Sequence, residues 1–430
     1  MQDARSVASA SIAKTFKRFP ELDPSSIDAA DLEPRDASLA RAIDHSVRRR
    51  WLTLAAMIEH ASNRPFVTLE PTVGASLLVG TSQLLLFDRL PDHAVIDCAV
   101  EWTRHGGKRP RATGFVNAVL RKVVKLRGSL EETGELGNEK HLPRSDGSWW
   151  HLTEDVFKSV APQVGFSKKV WARVEKQLGA QIAQTFALNA IAEPPLIVRG
   201  ETLPQSVTPH ETPKFGVLPS GAEIQPFLKE SPQLQVQDPT SGVSLTLLRS
   251  IEQTPHRILD LCAGRGTKTR QLRSMFPNAM IGATEPNDAR RASLQEIAKE
   301  LDVTVYAPNE EGPTEPFDLV VADVPCSNSG VFARRPEAKY RYDEKHITSL
   351  VELQQTIIRD GVAVLNPNGH FLYATCSIDR EENGSQVAWM QSKRNLSLVD
   401  QFATLPSGTP TSDPATWHDG GFAALLQRKA

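Results

Sequence analysis

Two cysteine-containing motifs, DVPCS at 323–327 and YATCS at 373–377, are the segments of this chain best suited to chemistry. Each motif ends an apolar run that is typical of a buried strand, FDLVVADVP and HFLYATCS. Ligands of an open parallel sheet bind beyond the carboxyl ends of its strands, so Cys326 and Cys376 are expected on the ligand-binding face. A single buried cysteine is usually a small hydrophobic residue. Two thiols that each precede a serine and leave strands at the same edge favour a functional role.

A glycine-containing turn, AGRGTKT, follows the apolar strand RILDLC at 257–262 and precedes a helical segment. Gly264 and Gly266 permit a tight turn and a close approach to a ligand, while the helix start offers free N–H groups to a carboxylate or phosphate. A nicotinamide dinucleotide site requires a third glycine where Thr269 stands, which disfavours a dehydrogenase. Glu285 ends the next strand, about twenty residues on, where an acid holds ribose hydroxyls. A plain turn with a surface acid is the alternative interpretation.

A basic run without an intervening acid lies between positions 104 and 127. Basic runs are usually solvated faces, but eight cations without a neighbouring carboxylate favour binding of a polyanion. We expect Arg48, Arg49 and Arg50 to extend this surface. The candidate RNA contacts are Arg104, Lys108, Arg109, Arg111, Arg121 and Lys122.

The spacing of the apolar residues and the polarity of each stretch divide the 430 residues into four segments. Residues 1–130 carry apolar side chains at helical spacing, which predicts an all-helical domain. Residues 131–149 are polar and are predicted to be a linker. Residues 150–235 are expected to form a small α+β subdomain. In residues 236–430 apolar strands alternate with helices, which predicts a parallel, doubly wound α/β sheet covered on both faces.

Composition narrows the class of protein. The formal net charge is −2, so a uniformly basic nucleic-acid binder is excluded, although local basic faces are not. No apolar stretch approaches the ~20 residues of a membrane helix, and the first residues contain no signal-peptide core. Four cysteines without zinc-type spacing indicate neither a disulfide scaffold nor a metal site. We therefore expect a soluble protein of a reducing cytoplasm that binds no metal.

Over nearly its whole length the sequence resembles the RsmB (Sun/Fmu) family of 16S ribosomal RNA cytosine-C5 methyltransferases. The C-terminal likeness rests on LDLCAGRGTKT, DVPCS, YATCS, EEN at 381–383 and DGGFAALLQRK at 419–429. LLVGTSQLLLFDRLPDHAVIDCAVE at 77–101 and GFVNAVLR at 114–121 resemble a NusB-like RNA-binding domain. The resemblance implies an all-α NusB-like domain followed by a Rossmann-like class I methyltransferase domain.

The resemblance also implies a mechanism. Cytosine C5 is a poor nucleophile, and addition of a thiolate to C6 turns the ring into an enamine whose C5 accepts a methyl group. By resemblance Cys376 is the nucleophile, Cys326 helps to release the product, and Asp323 contacts the cytosine ring nitrogen. The target base must leave its stack to reach such a site.

The cofactor implied is S-adenosyl-L-methionine. Its implied contacts are Cys262, Ala263, Gly264, Arg265, Gly266, Thr267, Lys268, Glu285, Asn309 and Asp323. The chain departs from the family pattern at four of its positions. Arg265 and Thr267 replace the usual Pro and Gly, Asn309 replaces an Asp, and Asn328 replaces a Gly. Arg265 either crowds the cofactor or pairs with its carboxylate.

Two alternatives remain open on the sequence. The same motifs fit a transfer RNA substrate, and only the NusB-like domain favours small-subunit ribosomal RNA. The departures at Arg265, Thr267 and Asn309 also suit a non-catalytic RNA-binding or ribosome-assembly factor with a degenerate cofactor pocket. In each case we expect a monomer.

Overall fold

The structure is a computed structural model that describes residues 3–24, 27–88, 90–307 and 315–429. It contains two compact units. The first, here called the helical unit, comprises Met1–Glu193, Phe332–Tyr342 and Thr409–Thr411, and the second, the sheet unit, comprises Pro194–Val331, Asp343–Gly408 and Ser412–Ala430. Within the described ranges, no helix combines the length and apolar character needed to cross a membrane.

The helical unit begins with five helices: α1 (Ala4–Phe16), α2 (Pro34–Ser62), α3 (Pro71–Leu86), α4 (Asp92–Arg104) and α5 (Thr113–Leu126). Helix α3 starts with proline at its first position, and the Glu70 side chain accepts the N–H groups of Thr72 and Val73. On α5 the apolar residues recur at helical spacing and are buried in the common core. The predicted helical domain is confirmed.

The predicted linker over 131–149 is corrected by the structure. The segment belongs to an antiparallel sheet of strands β1 (Ser129–Glu131), β2 (His141–Pro143) and β3 (Trp149–His151), in the order β1-β3-β2. Leu142 is fully buried and packs in the same core as the five helices. A few apolar residues therefore anchor a segment whose overall composition is polar.

The predicted boundary at residue 150 also differs from the structure. Helices α6 (Val160–Gln163), α7 (Lys168–Leu178) and α8 (Ala180–Ile191) belong to the helical unit. The α+β part is limited to strands β4 (Ile197–Arg199), β5 (Thr208–Pro209), β6 (Phe215–Val217) and β7 (Gln235–Val236), in the order β5-β6-β4-β7, with α9 (Ile224–Glu230). Gly179, at φ 76°, separates α7 from α8, because the left-handed conformation ends one helix before the next begins.

The sheet unit is built on seven strands in the order β10-β9-β8-β11-β12-β14-β13. They are β8 (Arg257–Asp260), β9 (Met280–Thr284), β10 (Val303–Tyr306), β11 (Phe317–Asp323), β12 (Leu365–Thr375), β13 (Leu396–Thr404) and β14 (Gly421–Arg428). The helices of this unit after α9 are α10 (Pro239–Val243), α11 (Thr267–Met275), α12 (Asp288–Leu301), α13 (Glu344–Ala363) and α14 (Gly384–Lys393). Strands β8 to β12 are parallel, whereas β14 is antiparallel to both β12 and β13.

Separate hydrophobic clusters cover the two faces of this sheet, which confirms the Rossmann-like prediction. The antiparallel pair at one edge was not part of that prediction. Because β8, β9, β11 and β12 are parallel, their carboxyl ends lie along the same edge. That edge carries the glycine turn, Glu285 and both cysteine motifs.

Candidate active site

The two motif thiols meet at this edge of the sheet. Strands β11 and β12 are direct neighbours, with Asp323 paired to Ala374, so the residues that follow them run side by side. The Sγ atoms of Cys326 and Cys376 lie 3.2 Å apart. Cys326 is buried and Cys376 is partly exposed. The hydrogen bond with Cys376, together with burial, raises the pKa of Cys326 well above its ordinary value.

A buried carboxylate, that of Glu382, accepts hydrogen bonds from both cysteine motifs. Glu382 accepts the backbone N–H and the hydroxyl of Ser327 at 2.9 and 2.5 Å, and the hydroxyl of Ser377 at 2.6 Å. Gln354 donates to the same carboxylate at 2.9 Å. Burial raises the pKa of Glu382, while its hydrogen bonds from the two serines act in the opposite direction. Sequence analysis noted EEN at 381–383 but did not predict this contact.

The glycine turn adopts the conformation that its glycines permit. Gly264 has φ 59° and Gly266 has φ 85°, both in the left-handed region, and α11 starts directly after Gly266. A Cβ atom built on Gly264 would meet no atom within 4 Å, so the turn is open on that side. Ala263 is buried, whereas Arg265 and Thr267 are exposed. Burial raises the pKa of Cys262 far above its ordinary value, so this thiol is not activated as a nucleophile.

Asp260, at the end of β8, is a candidate site residue that sequence analysis missed. Its Oδ2 accepts the hydroxyl of Thr269 at 2.6 Å, and its Oδ1 is buried without a hydrogen-bond partner among the described residues. Burial raises the pKa of Asp260 to about 6. Its position at the end of the first strand of the Rossmann-like sheet, just before the glycine turn, was the available signal.

Glu285 lies where the sequence predicted it, after the end of β9. Its buried carboxylate accepts the backbone N–H of Asn287 at 2.8 Å and lies 3.0 Å from the guanidinium of Arg290. Asn309, the other residue predicted to contact the nucleoside, lies outside the described residues.

The side chain of Lys268 binds two residues outside the glycine turn. Its Nζ donates to Oδ2 of Asp323 at 2.7 Å and to the hydroxyl of Ser241 at 2.9 Å. Burial lowers the pKa of Lys268, but the charge and the hydrogen bond of Asp323 outweigh burial, so the net direction is upward. The structure therefore places this predicted cofactor residue beside a predicted catalytic residue.

A cavity of about 100 Å³ in the sheet unit is lined by Lys268, Asp323 and Cys376, but not by Cys326. Its polar lining includes Asp238, Ser241, Lys268, Asp323, Cys376 and Asp419. The Asp238 carboxylate accepts the backbone N–H groups of Thr240 and Asp419. The described ranges contain no cluster of histidine, cysteine or acidic residues suited to a metal ion.

The predicted RNA contacts divide into two groups in the helical unit. Arg104 pairs with Glu101 at 3.4 Å, Arg109 pairs with Glu70 at 3.0 Å, and Lys122 pairs with Glu154. Two of these carboxylates come from distant parts of the sequence, so the absence of acids along the run did not predict them. The remaining candidates are exposed and form no ion pair within the described residues: Lys108, Arg111 and Arg121.

The expected extension of this surface through Arg48, Arg49 and Arg50 is wrong. All three side chains are buried. Arg48 pairs with Asp44 at 2.7 Å, and Arg50 donates to the backbone carbonyls of Pro143 and Gln163. Their role is to satisfy polar groups in the interior.

Comparison with known proteins agrees with this architecture. Residues 246–417 match the family described as "16S rRNA methyltransferase RsmB/F", and residues 4–125 match the NusB family. The chain is therefore similar to the RsmB/F methyltransferase family in its C-terminal part and to the NusB family in its N-terminal part. It is 28% identical to ribosomal RNA small subunit methyltransferase B of Vibrio cholerae, over 93% of its own length and 91% of that protein. The corresponding protein of Erwinia tasmaniensis is 27% identical, over 100% of this chain and 99% of the relative.

Solved structures share the fold of this chain. The crystal structure of PH0851 superimposes with a TM-score of 0.73 at 18% identity, covering 100% of this chain and 99% of the other. The crystal structure of NSun6 from Pyrococcus horikoshii with SFG gives a TM-score of 0.50 at 16% identity, over 62% of this chain and 99% of the other. At these identities the likeness concerns the fold alone.

Proposed function

We propose that this protein is an S-adenosyl-L-methionine-dependent RNA methyltransferase that forms 5-methylcytosine in small-subunit ribosomal RNA. The observation that carries the proposal is the 3.2 Å approach of the Cys326 sulfur to that of Cys376, which lines the cavity, in a chain whose residues 246–417 match the RsmB/F family. The family relatives reported above carry the name ribosomal RNA small subunit methyltransferase B. A thiol that lines a small cavity, with a second thiol beside it, suits covalent activation of cytosine.

Cys376 is the proposed nucleophile because it is the more exposed thiol and lines the cavity. Its thiolate forms a bond to C6 of the flipped cytosine, and the electron pair of the C5–C6 double bond moves towards the N3–C4 edge. C5 of the resulting enamine takes the methyl group. Release requires transfer of the C5 proton to a base. The electron pair of the C5–H bond restores the C5–C6 double bond, and the electron pair of the Sγ–C6 bond returns to Cys376 as the thiolate. Cys326, whose sulfur neighbours the departing one, is proposed to assist this release.

Asp323 and Lys268 are proposed to support the adduct. Addition at C6 builds up negative charge on the pyrimidine ring, towards N3. Asp323 lines the cavity that would hold the ring, and the buried ammonium of Lys268 fixes its carboxylate at 2.7 Å. A positive charge held next to the developing negative charge stabilises the addition step electrostatically.

The cofactor fits the residues at the glycine turn. When bound, S-adenosyl-L-methionine supplies a methyl group on a sulfonium. Gly264 leaves the turn open to a ligand. Oδ1 of Asp260, which precedes the turn, is a hydrogen-bond acceptor without a partner among the described residues. We propose that residues 262–268 hold the methionine end and that Glu285 and Asn309 hold the nucleoside.

The NusB-family domain favours ribosomal RNA over transfer RNA as substrate. Lys108, Arg111 and Arg121 are proposed to contact its phosphates, because they are exposed cations without an ion pair in the described ranges. Arg104, Arg109 and Lys122 are proposed to contribute after exchanging their carboxylate partners. We further propose that the protein acts in the cytoplasm as a monomer, which sedimentation velocity of the purified protein tests.

Bisulfite sequencing of 16S ribosomal RNA and transfer RNA from a deletion strain tests the substrate. We expect one cytosine of 16S ribosomal RNA to lose protection, and expression of the wild-type chain but not of Cys376→Ala to restore it. Loss confined to the transfer RNA pool would support the transfer RNA alternative. Unchanged RNA, combined with no calorimetric binding of S-adenosyl-L-methionine, would support the non-catalytic alternative.

A further inference from the structure

We propose that Cys326 and Cys376 form a redox-sensitive pair, which hydrogen peroxide converts into a reversible disulfide. In this pair Cys326 is the resolving thiol, which protects Cys376 from irreversible oxidation. Formation of the disulfide does not depend on the proposed function. Its consequence does rest on that function, since the disulfide masks the nucleophile Cys376 and stops methyl transfer.

The two sulfurs are already in contact in the reduced chain. Their Sγ atoms lie 3.2 Å apart. A disulfide bond is about 2.0 Å long, so the sulfurs need to approach by only about 1.2 Å more. Cys376 is partly exposed and lines the cavity, whereas Cys326 is buried. A small oxidant in solution therefore reaches Cys376 first and leaves Cys326 as the thiol next to the oxidised sulfur.

Neighbouring strands carry the two thiols at a spacing that a disulfide bridges. Strands β11 and β12 pair up to Asp323 and Ala374, and the N–H of Val324 donates to the carbonyl of Ala374 at 3.0 Å. Beyond the thiols, the N–H of Gly330 donates to the carbonyl of Cys376 at 2.9 Å. Paired strands lie about 4.8 Å apart, within the range of about 4.4–6.8 Å that separates the Cα atoms of a disulfide.

Hydrogen bonds also hold the residue that follows each cysteine. The hydroxyls of Ser327 and Ser377 lie 3.2 Å apart, and both donate to the carboxylate of Glu382. These contacts keep the two motifs side by side without a covalent bond between them. A thiol that is oxidised next to a second thiol is resolved as a disulfide before it takes up more oxygen.

The oxidation proceeds in two balanced steps. In the first, an S–O bond forms at Cys376 as the O–O bond of hydrogen peroxide breaks, and the thiol proton leaves with the released hydroxide as water. In the second, the Cys326 sulfur attacks the sulfenic acid, the S–O bond breaks, and the hydroxide leaves with the Cys326 proton as another water. Each sulfur loses one electron, and the peroxide is reduced. A dithiol reductant restores both thiols by exchange and itself becomes a disulfide.

Peptide mass spectrometry of the full-length protein after treatment with hydrogen peroxide tests the pair. Trypsin cleaves after Arg334 and Arg359, so Cys326 and Cys376 fall on separate peptides. In the wild-type chain we expect these two peptides to be joined, with the loss of two hydrogen atoms, and to separate again after dithiothreitol. Single-turnover methyl transfer should fall in proportion to the joined fraction and recover with the reductant.

Cys326→Ala removes the resolving thiol. In this variant Cys376 should take up two or three oxygen atoms, an oxidation that dithiothreitol does not reverse. Cys326→Ser, which nearly keeps the volume of the side chain, repeats the test if alanine disturbs the fold. Cys98→Ala is the matched control, because it removes a partly exposed thiol from α4 in the helical unit. Its joined fraction should equal that of the wild type.

Absence of the joined peptide from the oxidised wild-type chain would overturn the proposal. So would irreversible oxidation of Cys376 to the same extent in the wild type and in both Cys326 variants, because Cys326 would then give no protection. A joined peptide in a protein that transfers no methyl group would contradict the proposed function and leave the redox pair standing. Methyl transfer without a joined peptide would do the reverse.

Discussion

The ammonium of Lys268 and the carboxylate of Asp323 form a 2.7 Å ion pair at the cavity edge, with the lysine side chain 10% exposed and the aspartate side chain 37% exposed. The pair links the helix after the glycine turn to the first cysteine motif. We expect Lys268→Met to lower the rate of methyl transfer about 100-fold, the size of one preorganised electrostatic group. Single-turnover methylation of 16S ribosomal RNA measures this rate.

Lys299→Met provides the control for that experiment, since Lys299 pairs with Glu296 on the exposed face of α12. It should not change the rate. Thermal unfolding of both variants separates catalysis from stability, because the partly exposed Asp323 is still solvated after its partner is removed. A Lys268→Met rate within twofold of wild type would contradict the role assigned to the pair.

The assignment of the two thiols predicts opposite results for the two cysteine variants. Cys326→Ala should accumulate a covalent protein–RNA adduct when incubated with cofactor and 16S ribosomal RNA, because Cys376 adds to the base but release is impaired. Adding Cys376→Ala should abolish the adduct. Denaturing gel electrophoresis detects the shifted species, and an adduct that persists in the double variant would show that Cys376 is not the nucleophile.

Glu382 is predicted to stabilise both cysteine motifs. Glu382→Ala leaves the N–H of Ser327 and the hydroxyls of Ser327 and Ser377 without their acceptor, and each lost buried partner costs about 1–3 kcal/mol. We expect the free energy of unfolding in urea to fall by at least ~2 kcal/mol. The exposed neighbour Glu381, replaced by alanine, should change it by less than ~0.5 kcal/mol. Equal values for the two variants would contradict the prediction.

The meeting of the two thiols was predictable because it follows from sheet geometry. Apolar runs that end in DVPCS and YATCS indicate buried parallel strands, and the carboxyl ends of neighbouring parallel strands share one edge. The sequence does not specify that β11 and β12 are adjacent. Their pairing of Asp323 with Ala374 is what reduces the separation of Cys326 and Cys376 to 3.2 Å.

The contacts that depend on three-dimensional packing could not be predicted in the same way. Lys268 was grouped with the cofactor turn by its place in the sequence, but its long side chain reaches Asp323, 55 positions away. The basic run contains no acid, yet Glu70 and Glu154 approach it from other elements. Charge pairing of this kind depends on the packing of helices and loops and has no periodic signal.

The raised pKa of Asp260 predicts how stability varies with pH. Folding raises this pKa from its ordinary value of 3.8 to about 6, so the folded chain holds the proton more tightly than the unfolded chain. Ionisation therefore destabilises the fold progressively as pH rises from about 4 to about 6, by about 3 kcal/mol in total, and adds nothing further above that range.

Asp260→Asn removes this ionisation. The difference in unfolding free energy between Asp260→Asn and wild type should shift in favour of the variant as pH rises from about 4 to about 6, and stay constant above. Urea unfolding at pH 4.5, 5.5 and about 7.5 measures the difference, and any constant cost of the new amide cancels from its pH dependence. A flat profile for Asp260→Asn would show that its carboxyl is not perturbed.

The exposed cations of the helical unit predict the salt dependence of RNA binding. Lys108 and Arg111 form no ion pair among the described residues, so each should release about one counterion when it contacts a phosphate. Lys108→Ala and Arg111→Ala should each weaken binding and lower the slope of log K against log salt by about 0.7–0.9. Arg104→Ala should lower it less, because Arg104 must first leave Glu101. Fluorescence anisotropy with a labelled 16S fragment measures the slopes, and equal slopes for Arg111→Ala and wild type would place the RNA surface elsewhere.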